Sequence, residues 1–398
     1  RLVGSEMCIR DSVITALSAL VIIIFFIPYT ASGFAACGKL FNSLFGINYQ
    51  VAMMLSALLI VGYTITGGFN AVCVTDLVQS IVMTGALAIV LIYGISRAGG
   101  WTAVMDNAAA LPGYLSLTST FDVASGSEVK YNFLTIFSTA AWGLGYFGMP
   151  HILVRFMAIE DEKKLVLSRR IASVWVVIAM TAGVLIGIVG LGMTKAGALE
   201  TLTGSNSETI IVRIAGIISQ HNALTALIAG IILAGILAAT MSTADSQMLA
   251  AASGVSQNIV HDFLKIKISE KTNLLIARLT IVGIAIVSIF LARNPDSSVF
   301  KIVSFAWAGF GGAFGAVVLC SLFWKRCNLA GAIAGIISGG ATVFIWKYLI
   351  RPLGGILDIY ELLPAFIVSL IFIIVVSLLT KAPDEEIVRE FEAAGKKA

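Results

Sequence analysis

Apolar residues run through this chain in blocks long enough to cross a bilayer, separated by shorter polar gaps. A spanning helix needs about 20 mostly apolar residues. Ten blocks reach roughly that length: 13–42, 50–67, 72–96, 131–149, 171–194, 222–250, 275–293, 299–324, 329–349 and 361–381. The longest polar connections are 97–130, 151–170, 195–221 and 251–274, and Ile210–Ser219 within the third predicts a short interfacial helix. Pro28 lies inside the first block, where the missing backbone donor predicts a kink. The pattern predicts an all-α polytopic membrane protein with about ten transmembrane helices, embedded in the lipid bilayer as its principal partner.

Composition narrows the functional classes. Of the 398 residues, 58% are hydrophobic and 12% charged, against roughly 25% charged in a soluble domain. The net charge of +4 is spread over several loops and predicts no nucleic-acid partner. Cys8, Cys37, Cys73, Cys320 and Cys327 form no CxxC pair, and three histidines are too separated for a cluster. Neither disulfides nor a transition-metal site is expected. With no nucleophile–base pair or nucleotide motif, an enzyme is not expected. Arg1–Ser12, RLVGSEMCIRDS, has no apolar core of the signal-peptide kind; it reads as a non-native leader (1–12) and is set aside.

Lys and Arg orient the blocks. Segments 151–170, 251–274, Lys325–Arg326 and the tail together with Lys381 carry fourteen of them, more than the alternate side, which places the first set in the cytoplasm. The tail, 382–398, reads as a solvated cytoplasmic helix or coil, with no obligatory protein partner.

Chemistry concentrates where polar residues interrupt the blocks. In Leu233–Ser253, LAGILAATMSTADSQMLAAAS, the residues Ser242, Thr243, Asp245 and Ser246 appear at membrane depth. Ser242 and Thr243 follow Ala239 by three and four positions, so their hydroxyls share a helix face with its carbonyl, and Ser246 falls there one turn later. Such oxygens suit a small hard cation such as Na⁺; the ordinary alternative is hydroxyls bonded back to the preceding turn. Asp76 has two readings as well. With Thr75 it either caps a helix that starts after Gly67–Gly68, or it is a functional intramembrane carboxylate. Trp142–His151, WGLGYFGMPH, formally contains GxGxxG, but without a preceding strand it is no dinucleotide site. It predicts a broken or tightly packed helix, with Trp142 and Tyr146 on one face as packing or solute-lining groups. Gly331, Gly335 and Gly339, like Gly311 and Gly315, recur every fourth residue and predict packing seams.

FFIPYTASG (Phe25–Gly33), ITGGFNAVCVTDLVQS (Ile65–Ser80), WGLGYFGMPHILVRFMA (Trp142–Ala158), ILAATMSTADSQ (Ile236–Gln247) and SFAWAGFGGAFG (Ser304–Gly315) together resemble the sodium:solute symporter family, most of all its proline-carrying bacterial members. The resemblance implies the leucine-transporter-type fold, two inverted repeats around a midplane site, here lacking its first three spans. Residues 13–381 would be the symporter domain, with 13–96 the remainder of the first repeat, 131–324 the second, and 329–381 two extra C-terminal spans. It implies sodium at Ala239, Ser242 and Thr243, with Asp76, Asp245 and Ser246 as coupling or second-site residues. Tyr29, Trp142, Tyr146 and Pro150 would bind or gate the solute. The function implied is sodium-coupled uptake of L-proline through the plasma or inner membrane, a fragment without its first core helices being inactive. Sodium symport of another small carboxylate or amino acid, and a membrane sensor or scaffold, are the alternatives.

Overall fold

The computed structural model describes residues 12–266 and 269–395. Arg1–Asp11 of the expected leader, with Cys8, lie outside the described residues, as do Lys267, Lys396 and Lys397. The chain is helical almost throughout. α1 (Ser12–Phe45) leads into α2 (Tyr49–Arg97), then α3 (Trp101–Ala109) and a small antiparallel hairpin of β1 (Ser119–Asp122) and β2 (Ser127–Lys130). There follow α4 (Phe133–Ala140), α5 (Pro150–Met157), α6 (Lys164–Lys195), α7 (Ile210–Ser219), α8 (Ala223–Ser253) and α9 (Glu270–Leu291). The last elements are α10 (Val299–Phe310), α11 (Ala316–Phe323), α12 (Leu329–Ile345), α13 (Leu362–Leu379) and α14 (Glu385–Gly395).

Polar residues set many of the helix starts. The side chains of Asn48, Asn132, Asn222, Ser269, Ser298 and Asn328 each accept a first-turn backbone N–H. An N-cap of this kind satisfies a donor that the helix itself leaves unpaired, worth about 1 kcal/mol.

Among the described residues two apolar cores result. In one, Phe25, Phe26 and Phe34 of α1 pack with Met53, Met248, Phe310 and Phe314. In the other, Val90 of α2 meets Ile186 and Met193 of α6, Ile214 of α7 and Ile232 of α8. Outside them Leu58, Leu59, Leu77, Ile81, Val177 and Val184 stand more than half exposed. Large aliphatic side chains displayed along helices of spanning length are what a hydrocarbon solvent accepts and water does not. The protein is a multi-pass membrane protein.

Among the described residues nine stretches are continuous, long and apolar enough to span. The expected block 131–149 is not one of them; it is divided among three elements. α4 ends at Ala140, a 3₁₀ segment runs Ala141–Gly148, and α5 restarts at Pro150. Proline has no N–H to continue the ladder and disfavours helical backbone at the residue before it, and Met149 is accordingly extended at φ −82°, ψ 106°. The broken unit packs on α10 and the π-type turn Gly311–Gly315 that follows it. A Cβ on Gly148 would strike Phe310 O, and one on Gly311 would stand 2.7 Å from the Gly145 Cα. The expected seam on α12 is present too: Gly331 and Gly335 face Ile373 of α13, and Gly339 faces Ser369.

Three further departures follow from tertiary context. The connection 251–274 begins later than expected, because α8 runs on through π-type turns as far as Phe263. The connection 97–130 contains α3 and the hairpin. Thr75 and Asp76 lie inside α2 rather than capping a new helix.

Candidate functional site

On α8 the hydroxyls of Ser242 and Thr243 both donate to Ala239 O, at 3.1 Å each. The geometry gathers three oxygens on one partly buried face. It satisfies the carbonyl, and it leaves hydroxyl lone pairs for a further donor or a cation. One turn on, Gln247 is fully buried. Its Oε1 accepts from Thr30 Oγ1 of α1 at 3.3 Å, tying the polar turn of α8 to the residue that follows Tyr29.

A second cluster lies around Asp76. The Arg155 guanidinium, on α5, pairs with Asp76 Oδ2 on α2 and donates to Ser246 Oγ on α8 at 2.8 Å. Asp245 is fully buried, and its Oδ1 accepts the Ser246 N–H at 2.6 Å. Asp76 Oδ1 and Asp245 Oδ2 are buried without a hydrogen-bond donor. Tyr63 Oη shares a 2.7 Å hydrogen bond with Thr75 Oγ1 and lies beside the Asp245 carboxylate without satisfying Oδ2. Buried carboxylate oxygens left unpaired are costly, so this donor set fits a hard cation held by oxygen.

The aromatic residues form a third group. Trp142 stacks against Trp307 (centroids 5.4 Å apart), Phe300 (5.5 Å) and Tyr360 (5.7 Å), and Trp307 Nε1 donates to Trp142 O at 3.0 Å. Tyr146 meets the edge of Trp307 at 4.8 Å and is 43% exposed. Tyr29 lies 6.2 Å from the His151 ring and within electrostatic range of Tyr146. Pro150 occupies the first turn of α5 and lines a separate apolar cavity of about 210 Å³ with Ile14, Ile22 and Phe314. The structure therefore brings Tyr29 and Tyr146 near each other at the break, with Pro150 turned to a separate cavity and Trp142 in a four-ring stack that shares Trp307 with Tyr146. Arg155, Trp307 and Gln247 were not singled out among the sequence candidates, although all three lie inside quoted motifs. A cavity of about 710 Å³ lies elsewhere, between the end of α1, α7 and the first turns of α8.

At the far end of α1, Glu208 joins three elements. Its carboxylate accepts from Lys39 Nζ at 2.9 Å, Ser298 Oγ at 2.7 Å and the N–H groups of Val299 and Phe300 at 3.1 and 3.2 Å. Burial alone would raise its pKa, but these donors together outweigh it and hold the carboxyl below the usual glutamate range.

The sequence profile of the sodium:solute symporter family matches residues 9–339. The chain belongs to that family. This symporter is 39% identical over 381 residues to the osmoregulated proline transporter OpuE of Bacillus subtilis (strain 168), covering 96% of this chain and 74% of the relative. It is 37% identical over 380 residues to the sodium/proline symporter of Staphylococcus aureus, covering 94% and 71%. Its fold is also that of a solved Na⁺-coupled sialic acid symporter in a substrate-bound, outward-open state described as revealing a novel Na⁺ site. The TM-score is 0.70 at 19% identity, over 93% of this chain and 75% of that one. The architecture is thus of the leucine-transporter type, as the sequence motifs imply.

Proposed function

We propose that the complete symporter carries L-proline into the cell across the bacterial plasma membrane, driven by Na⁺. The observation that carries this reading is the Thr30–Gln247 hydrogen bond, which joins the α8 turn after Ser242 and Thr243 to the α1 turn that bears Tyr29. Relatives named for proline transport support the choice of solute.

In this reading Ala239 O, Ser242 Oγ and Thr243 Oγ1 contribute to one sodium site, and Asp76, Asp245 and Ser246 to a second. Neutral hydroxyl and carbonyl oxygens give weak, reversible coordination, which a transported ion requires. Residues 13–96 belong to the first repeat and 131–324 to the second, with α12 and α13 additional. Sodium that bridges α8 to the first repeat favours one arrangement of the repeats. A solute that binds the same arrangement more tightly is then coupled to the ion, and the coupling is reciprocal. Tyr29 and Tyr146 offer apolar ring faces to the pyrrolidine, and the N-terminal end of α5 at Pro150 supplies the positive end of a helix dipole for the carboxylate.

The test is radiolabelled proline uptake by the complete symporter in proteoliposomes with and without an inward Na⁺ gradient, with other small carboxylates and amino acids as competitors. Sodium-stimulated uptake displaced by unlabelled proline is the expected result. Proline uptake indifferent to Na⁺, or sodium-driven uptake of a different solute, would refute the corresponding half of the proposal.

A further inference from the structure

One guanidinium holds three helices together at the Asp76 cluster. Arg155 comes from α5, the segment restarted by Pro150, while its two partners, Asp76 Oδ2 and Ser246 Oγ, come from α2 and α8. The exposures of the two charged groups are unequal. The Arg155 side chain is 41% exposed, whereas the Asp76 side chain is 10% exposed. Asp245, beside them, keeps one buried oxygen unpartnered. A single positive charge therefore serves two carboxylates, and it can leave while they cannot.

A second cation on the same oxygens would meet the first at contact distance, where like charges repel by several kcal/mol at an effective dielectric near 20. We infer that Arg155 is a tethered cation that competes with Na⁺ for Asp76 and Ser246. Arrival of the ion displaces the guanidinium toward water and releases α5 from α2 and α8. This rests on the reading of Asp76, Asp245 and Ser246 as sodium ligands. It adds a residue that weakens ion binding on purpose: the energy Na⁺ spends in displacing Arg155 is converted into freedom of the helix that carries Pro150.

The experiment is equilibrium binding of radioactive sodium to the purified full chain in detergent. Arg155→Gln is expected to lower the apparent Na⁺ dissociation constant by about fivefold, the scale set by losing one partly exposed ion pair. Millimolar guanidinium added to that variant is expected to restore the weaker parental affinity. Arg155→Lys keeps the charge and is expected to fall between the two; it serves where the glutamine variant does not fold. Asp76→Asn is expected to bind sodium poorly. Equal or weaker sodium affinity in the Arg155 variants, with Asp76→Asn defective, overturns the tethered-cation inference and leaves the ion site standing. Undiminished sodium binding by Asp76→Asn overturns the site reading and the inference with it.

Discussion

Gly148→Ala tests how the broken span is held. Gly148 ends the 3₁₀ segment against the turn that follows α10. An added Cβ would strike Phe310 O and come within 2.9 Å of Gly315 N and the Phe310 carbonyl carbon. Ordinary van der Waals contact begins at 3.4 Å, so the two segments must part by about an ångström at Phe310 O in a close-packed interior. All three obstructing atoms are backbone, so no side-chain rotamer relieves the clash. Overpacking of this kind costs about 1–3 kcal/mol, and the backbone contact argues for the upper half. A loss of about 2 kcal/mol corresponds to roughly a thirtyfold fall in the folded-to-unfolded ratio. Gly143, in the same segment, meets nothing within 4 Å of an added Cβ. Gly143→Ala is therefore expected to be neutral or stabilising by less than about 1 kcal/mol. The assay is SDS titration of purified protein in mild detergent, followed by far-ultraviolet circular dichroism, with proline uptake measured alongside. If Gly148→Ala unfolds at the same SDS fraction as Gly143→Ala, the close-approach argument is wrong.

The other expected outcomes are as follows. Because the Glu208 carboxyl is held below its ordinary pKa of 4.5, its stabilising contribution is complete above that value and fades as pH falls through the lower folded value. Glu208→Gln should flatten that acid limb and cost about 1 kcal/mol after allowance for solvent screening, read from melting temperatures between pH 3 and 7. Trp142→Ala removes three ring contacts and should destabilise by about 3 kcal/mol, whereas Trp142→Phe should keep much of the stack; the SDS titration separates them. Ser242→Ala combined with Thr243→Val should weaken the Na⁺ dependence of proline uptake at least tenfold, with less than about 1 kcal/mol lost in stability. Unchanged Na⁺ dependence in that pair would mean that the hydroxyls only bond back to Ala239.

The spans were legible because a hydrocarbon solvent selects for long apolar runs, and the break at Gly148–Pro150 because glycine and proline act locally. The two sequence readings of Thr75–Asp76 could not be separated by local pattern. Thr-Asp after a glycine pair reads as a cap, yet α2 passes through it and buries the carboxylate. Arg155 counts in the sequence as one more loop charge, since nothing local says that residues 79 and 91 positions away supply its partners. Helical spacing pairs Trp142 with Tyr146, and both do pack against Trp307, but nothing local shows that Phe300 and Tyr360 complete the stack on Trp142. Long-range pairing of this sort leaves no periodic trace.

That stack also equips the protein with its own optical gauge. The Trp142 and Trp307 rings lie 5.4 Å apart and 18° from parallel, close enough for their electronic transitions to mix. Each indole comes from a different side of the joint between the broken span and α10. Any step that slides one past the other changes the near-ultraviolet dichroic signal of the pair. Rearrangement at the joint can thus be followed in the unlabelled protein, in real time, as ion or solute is added.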